Sequence, residues 1–457
     1  MNVYDESLLK NKKHIHFIGI GGSGMFPIVQ ILHAEGFYIT GSDNNETETV
    51  KIEREMGIEI FMGQRAENIK GADLIVYTAA IMADNPELIA AKESGVDTIE
   101  RSVMLGLLTR RYDRAICISG THGKTTTSAM LTQILVESKM DPTAVIGGKL
   151  PLIHGSGIAG KSDIMVCESC EFVDTFLKLS PNIAVILNVD EDHLDYFKNL
   201  DNIIRSFNAF AKMADKCIII NGDDENTLRA VSDIKNVPII SFGYKKGNDY
   251  YVENVEQHKG IGTSFDLCHN GEKLCRLTMS VPGEHNILNT AAACVAAIQV
   301  GTPIESIQKA VPNFKGAGRR FEVLGKVNGF TVVDDYAHHP KELEVTLKTA
   351  KKLDFNRVWA VFQPFTYSRT SILFDDFVKA LSIADKVVLS EIMGSREKNT
   401  YNIYSKDLAE KIDGSVWFST FEEIADYVLE NAEEGDLVIT LGCGDIYKCA
   451  KMMLEKQ

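Results

Sequence analysis

The chain of 457 residues lacks a long apolar run. Its longest stretches, such as 183–187 and 437–441, fall far short of the roughly 18 residues that suggest a bilayer span. It also lacks an excess of positive charge: 48 Lys and Arg stand against 63 Asp and Glu, a net charge of -15. Phosphate backbones and anionic leaflets attract surplus Lys and Arg, so a general nucleic-acid binder or a membrane-surface protein is not expected. Nine cysteines, odd in number and scattered, make no disulfide framework, and residues 1–13 are polar, with no secretory apolar segment. A reduced cytoplasm is the expected compartment. No repeat or low-complexity tract is evident, and the length suits two or three domains with ample core.

What is present is alternation. Short β-branched runs alternate with helical periods, the pattern of parallel sheets covered by helices. Strands are expected at 14–20, 37–41, 59–62 and 73–78, with helices at 24–34, 46–56 and 86–94. A charged stretch at 109–114 interrupts this, and a new buried strand at 115–119 runs through a glycine turn into a helix at 125–137. Further strands are expected at 163–167, 183–188, 216–220 and 238–242. Between residues 250 and 281, Asn270-Gly271 marks a hairpin insertion, because Asn-Gly supplies the positive φ angles of a tight turn. An alanine-rich helix at 285–300 leads to a glycine-bearing basic linker, 315–320. A third alternating run follows, with strands at 331–335, 357–363, 386–391 and 437–441 and helices near 341–353, 373–381 and 421–430. The expected architecture is α/β in three domains, 1–110, 111–318 and 319–457.

The strongest local signal is Ser119-Gly120-Thr121-His122-Gly123-Lys124-Thr125-Thr126-Thr127 at a strand-to-helix junction. Glycines let backbone N–H groups close on phosphate oxygens, Lys124 can reach terminal phosphates, and Thr125 offers a hydroxyl to Mg²⁺. The longer phosphate-loop form needs a glycine where Ile118 stands, so this loop is a shortened one. Near the N-terminus Gly19, Gly21 and Gly24 satisfy G-x-G-x-x-G, with Asp43 placed to accept from a ribose hydroxyl. Pyrophosphate at a helix N-terminus would serve either a redox dinucleotide or a nucleotide-linked substrate.

Acids follow the phosphate loop. Glu168, Glu171 and Asp174 form one cluster, and Asn188-Val189-Asp190-Glu191-Asp192-His193-Leu194-Asp195 follows the strand at 183–187. Carboxylates at the C-terminal ends of parallel strands are placed to hold metal bridging ATP oxygens, and His193 would make the site tolerant of Mn²⁺ as well as Mg²⁺. Asp190, Glu191 and Asp195 individually read as caps or solvated acids, and Cys167 and Cys170 as incidental thiols. Further on, 334–340 and 362–370 are read as two adjacent strand ends whose acids, histidines and Arg369 could hold a small charged substrate; His338 and His339 could equally cap the next helix. Arg319 and Arg320 at the linker could reach ATP or be ordinary surface charge.

Taken together these motifs resemble the Mur ligase family, in the same order over nearly the whole chain: the glycines at 19–24, G-T-H-G-K-T-T-T at 120–127, E-S-C-E-x-x-x-T-F-L at 168–177, N-V-D-E-D-H-L-D at 188–195, G-E-H-N-I-L-N at 283–289, R-R-F-E at 319–322, D-D-Y-A-H-H-P at 334–340 and F-Q-P-x-x-Y-S-R-T at 362–370. The resemblance implies a Rossmann-like N-terminal domain for the UDP part of a substrate, a central ATPase domain and a Rossmann-like C-terminal domain that closes over an amino acid. It implies ATP-dependent ligation of L-alanine to UDP-N-acetylmuramate through an acyl phosphate, in peptidoglycan precursor synthesis. A recycling ligase that adds a preformed tripeptide to the same sugar nucleotide is the alternative.

Carried over by motif, Gly21, Gly22, Ser23, Gly24, Met25 and Asp43 would bind the UDP substrate. Gly120, Thr121, His122, Gly123, Lys124, Thr125, Thr126, Asn286, Asn289 and Arg320 would bind ATP; Thr125, Glu171 and His193 would hold metal; and Tyr336, His338 and Arg369 would bind the amino acid. The catalytic set implied is Lys124, Glu171, His193, His338 and Arg369. Some members carry an arginine and a preceding histidine where this chain has Thr366 and Phe365, so a single guanidinium is expected for the amino-acid carboxylate. A monomer or homodimer is expected. Two other classes fit parts of the pattern: a dinucleotide-dependent oxidoreductase, on G-x-G-x-x-G and Asp43 alone, and a non-catalytic nucleotide sensor.

Overall fold

The computed structural model describes residues 6–258, 261–395 and 397–456, and among them strands form three sheets. The first is all parallel in the order Glu59–Met62, Tyr38–Asp43, His14–Ile18, Leu74–Tyr77, Asp97–Glu100. The outermost of these, Asp97–Glu100, and the helix Arg101–Thr109 after it were not anticipated. Only Ile99 of that strand is buried, so an edge strand this short leaves no apolar run to read.

The second sheet has ten strands, and its centre is the buried trio Ile183–Ile186, Arg114–Ser119 and Ile164–Glu168, apolar apart from Arg114, Ser119 and Glu168 at the ends and paired in parallel. Strands buried on both faces read as continuous apolar runs, which is why they were legible. At one edge Tyr250–Gln257, Thr263–His269 and Glu272–Met279 form the expected insertion, and Asn270 and Gly271 both take positive φ (51° and 84°) in its turn. The third sheet orders Glu322–Val327, Phe330–Asp335, Leu437–Leu441, Val358–Phe362, Lys386–Leu389 and Val416–Trp417, antiparallel only at its first pair.

Packing divides the chain into two compact units. One comprises the chain through Asn254 with Phe265–Leu277 and Ile287–Val311; the other comprises Val255–Ser264, Thr278–Asn286 and the chain from Pro312. The first sheet and most of the second therefore belong to one unit, and glycines explain how they approach. A Cβ on Gly157, in the strand Gly155–Ile158 of the second sheet, would stand 2.6 Å from Cα of Pro27, in the helix Phe26–Ala34 that covers the first. A Cβ on Gly106 would stand 2.1 Å from the carbonyl oxygen of Lys178. In an open helix Gly→Ala gains up to about 1 kcal/mol. Here the added carbon meets backbone that cannot rotate away, so Gly106→Ala is expected to lose about 1–3 kcal/mol. A thermal unfolding midpoint at or above that of the parent would refute this seam.

Candidate active site

The glycine loop after His14–Ile18 is shaped by Asp43. Its Oδ2 accepts from the Gly21 N–H (3.0 Å) and its Oδ1 from the Asn45 N–H (3.0 Å). A side chain at Gly21 would collide with Val50 Cγ2 at 2.5 Å. The Met25 and Phe26 N–H groups turn back to the Gly22 carbonyl, and Met25 itself is buried in the core. Ser23 and Gly24 are exposed, and their N–H groups have no protein acceptor among the described residues. Such a pair at the start of a helix suits a phosphate oxygen.

The second loop leaves the central strand Arg114–Ser119 at Gly120 (φ 146°) and enters the helix Lys124–Glu137 at Gly123 (φ 86°). A Cβ on Gly123 would stand 2.4 Å from Asn289 Oδ1, which places Asn289 against the loop. The segment after Ile183–Ile186 fixes its shape. Asn188 accepts from the His122 N–H (2.8 Å) and donates to the His122 carbonyl (3.0 Å), while Thr121 Oγ1 accepts from the Asp190 N–H (2.9 Å). Lys124 Nζ donates to the carbonyls of Gly120 (2.5 Å) and Thr121 (3.1 Å) and to Glu171 Oε2 (2.9 Å). Burial opposes its charge, but Glu171 beside it outweighs that and holds the ammonium above its ordinary range.

Glu168 is the acid that meets the loop's hydroxyl. Its Oε1 accepts from Thr125 Oγ1 (2.7 Å), and its Oε2 from the Gly147 N–H (2.6 Å) and Ser128 Oγ (3.2 Å). Glu171 serves Lys124 instead. His193, in the left-handed region at φ 50°, packs its ring on Phe172 at 4.5 Å and stands 3.8 Å from Asp192. Asp174 is spent on structure, accepting from Tyr196 Oη (2.7 Å) and from Ser206 Oγ. Among the described residues no three His, Cys, Asp or Glu side chains converge as a metal cluster. An Mg²⁺ bridging phosphates needs few protein ligands, and the Thr125–Glu168 pair supplies two oxygens of the right kind.

A cavity of about 200 Å³ runs from the first glycine loop to Glu168, whose carboxylate meets Thr125 of the second. Ser23, Gly24, Pro27 and Arg101 line one end, and Gly147, Glu168 and Cys170 the other. A single elongated molecule can therefore touch the glycine loop and reach the acid beside Thr125.

The second unit carries a separate polar cluster. His338 lies beneath Tyr336: its Nδ1 donates to the Tyr336 carbonyl (3.1 Å) and faces Glu342 Oε2 at 3.3 Å. Burial, with Arg369 and Arg320 nearby, holds its pKa below the usual value against the pull of Glu342, so the ring is neutral at pH 7 and Nε2 is an acceptor. Arg369 has a buried Nη1 without a hydrogen-bond partner. Its helix, Tyr367–Ile372, starts from Thr366 in a strained backbone conformation (φ 66°). His339 is a helix cap: it forms a capping box with Glu342 at the start of Pro340–Lys351.

Arg319 is locked within this unit by Asp334 (2.8 Å), by the carbonyls of Gly442 and Gly444, and by the rings of Tyr336 and Tyr447 at 5.1 and 5.0 Å. Arg320 also lies over the Tyr336 ring, at 5.4 Å. The two strand ends of this rim are not neighbours, as the sequence suggested: Leu437–Leu441 lies between Phe330–Asp335 and Val358–Phe362. Its loop, Gly442-Cys443-Gly444, is therefore central. A Cβ on Gly444 would stand 2.4 Å from Gln363 Oε1.

Three family models match in order: the Mur ligase family catalytic domain over residues 14–113, the Mur ligase middle domain over 118–297 and the Mur ligase glutamate ligase domain over 319–444. A UDP-N-acetylmuramate–L-alanine ligase from Acetivibrio thermocellus is 42% identical over 97% of this chain and 96% of its own length. The chain belongs to the Mur ligase family. Among solved structures, the UDP-N-acetylmuramate–alanine ligase of Thermotoga maritima superposes with a TM-score of 0.83 at 28% identity, over 98% of this chain and 99% of that one. A murein peptide ligase from Psychrobacter arcticus shares the fold, with a TM-score of 0.72 at 24% identity over 97% and 98%.

Within this Mur ligase the structure brings together Gly120 to Thr126 with Glu171, and separately Tyr336, His338, Arg320 and Arg369. Asn286 and Asn289 share the helix Glu284–Gln299, three residues apart. Sequence reasoning noted Glu168 only as one of a cluster, and missed Arg101, Glu342 and the 442–444 loop. The spacing Gly-x-Gly after an apolar run could have pointed to the last of these.

Proposed function

We propose that this Mur ligase joins L-alanine to the carboxylate of UDP-N-acetylmuramate with hydrolysis of ATP to ADP and phosphate. The observation that carries the reading is the continuous cavity from Ser23 and Gly24 to Glu168 beside Thr125. The relative from Acetivibrio thermocellus, named for the same ligation, supports it over nearly its full length. Residues 1–110, 111–318 and 319–457 then serve the sugar nucleotide, ATP and the amino acid.

In the first step the lactyl carboxylate takes the γ-phosphoryl group of ATP, giving an acyl phosphate and ADP. Lys124 turns from Glu171 and the loop carbonyls to the β- and γ-phosphates, where its charge matches what develops in transfer. Thr125 and Glu168 would hold Mg²⁺, which supplies charge neutralisation on the phosphates; Glu171 and His193 would hold a second ion, with Mn²⁺ tolerated by the imidazole. In the second step the alanine amine attacks the acyl carbon and phosphate leaves. Arg369 takes the amino-acid carboxylate with its unpartnered Nη1. The amine must be unprotonated to attack, and neutral His338 can accept its proton at Nε2.

The test is phosphate release from ATP with Mg²⁺ and UDP-N-acetylmuramate, with L-alanine, glycine, L-serine or an L-Ala-γ-D-Glu-containing tripeptide as acceptor. Release that needs both the sugar nucleotide and L-alanine is expected; release with the tripeptide alone would overturn the reading. Arg369→Ala should raise KM for L-alanine about 10- to 100-fold and leave KM for the sugar nucleotide unchanged. A parallel rise in both would place Arg369 elsewhere.

A further inference from the structure

Arg101 opens the helix Arg101–Thr109 and lines the cavity at its glycine-loop end. Nε, Cζ and Nη1 of its guanidinium all lie 3.4 Å from the point where a Cβ on Gly24 would stand, so the planar group lies flat against the loop. It has no hydrogen-bond or ion-pair partner among the described residues. The adjacent acid is already engaged: Glu100 accepts from Ser102 Oγ (2.6 Å) and pairs with Lys178 at 3.4 Å. Glu168, at the other end of the cavity, is satisfied by Thr125, Ser128 and Gly147.

A guanidinium kept off every carboxylate and placed beside the unoccupied N–H groups of Ser23 and Gly24 is an anion receptor. We propose that Arg101 binds the diphosphate of the nucleotide substrate. The assignment rests on the sugar-nucleotide reading above and names the residue that anchors it. Of the two anionic groups on that substrate, the diphosphate is the one at the glycine loop; the reacting carboxylate belongs at the far end, beside Thr125 and Glu168. Arg101 is thus a substrate-binding residue that sets where along the cavity the carboxylate arrives.

The test is calorimetric titration of the full-length chain with UDP, uridine and UDP-N-acetylmuramate, in the parent, Arg101→Ala and Arg101→Lys forms. Arg101→Ala should weaken UDP and UDP-N-acetylmuramate alike, by about 10- to 100-fold, and leave uridine unchanged. Lysine, a point charge without the planar fork, should restore part of the loss. Unchanged ADP binding at the second loop would show that each variant is folded. Equal affinity for UDP in the parent and in Arg101→Ala overturns the proposal, as does a loss confined to UDP-N-acetylmuramate, which would put Arg101 on the carboxylate. A parent chain that binds no UDP would instead remove the sugar-nucleotide reading, and this assignment with it.

Discussion

Lys124→Ala is expected to lower kcat by about 10³-fold or more, the scale of removing a principal charge from a phosphoryl-transfer site. Lys124 is the cation of the phosphate loop: three of its present partners are the loop's own carbonyls and Glu171, and the helix start beneath it is fixed by Gly123. It is held ready, since Glu171 keeps it charged inside a buried site. Exchanging that partner for phosphate costs little because one anion replaces another. The substitution also leaves Glu171, only 3% exposed at its side chain, without its cation. Some loss of stability should follow, and Lys124→Arg should recover stability better than activity. Pre-steady-state phosphate release with saturating UDP-N-acetylmuramate and ATP separates the effects. A folded Lys124→Ala protein that turns over within tenfold of the parent would exclude phosphoryl transfer at this loop and favour a nucleotide sensor.

The second large effect concerns stability. Glu53, on the helix Glu48–Glu55, is fully buried and neither carboxylate oxygen has a partner. Burial, with Asp43 nearby adding repulsion, raises its pKa from 4.5 to about 9. The folded protein therefore keeps the proton up to about pH 9, whereas the unfolded chain releases it above 4.5. In that window the folded state binds more protons, so stability falls as pH rises. At pH 7 the gap between 7 and 4.5 corresponds to about 3 kcal/mol. Glu53→Met fills the same volume without a titrating group. It should raise the urea midpoint of the first unit at pH 8 by far more than at pH 5. An identical pH dependence in parent and variant would show that Glu53 finds a partner in solution.

The element pattern, the two glycine loops and the family were legible from the sequence. Each rests on local chemistry: apolar runs such as 183–186 need only their own residues to declare a buried strand, and Gly120 and Gly123 announce a turn that no side chain permits. The hairpin at Asn270-Gly271 was readable for the same reason. Roles that depend on what lies opposite were not. Glu168 and Glu171 are three residues apart in one acidic cluster, yet one, at the end of the strand Ile164–Glu168, meets the loop hydroxyl and the other, beyond the strand, meets the loop ammonium. Arg319 and Arg320 are adjacent and identical; one is locked by Asp334 and the carbonyls of 442 and 444, and the other lies over the Tyr336 ring. The order of the third sheet, which inserts Leu437–Leu441 between two strands far earlier in the chain, is set by crossover connections that no local signal encodes. Sequence by itself determined which residues could do chemistry; tertiary structure decided which of them face one another, because a contact across 70 or 100 residues is fixed by packing and not by spacing.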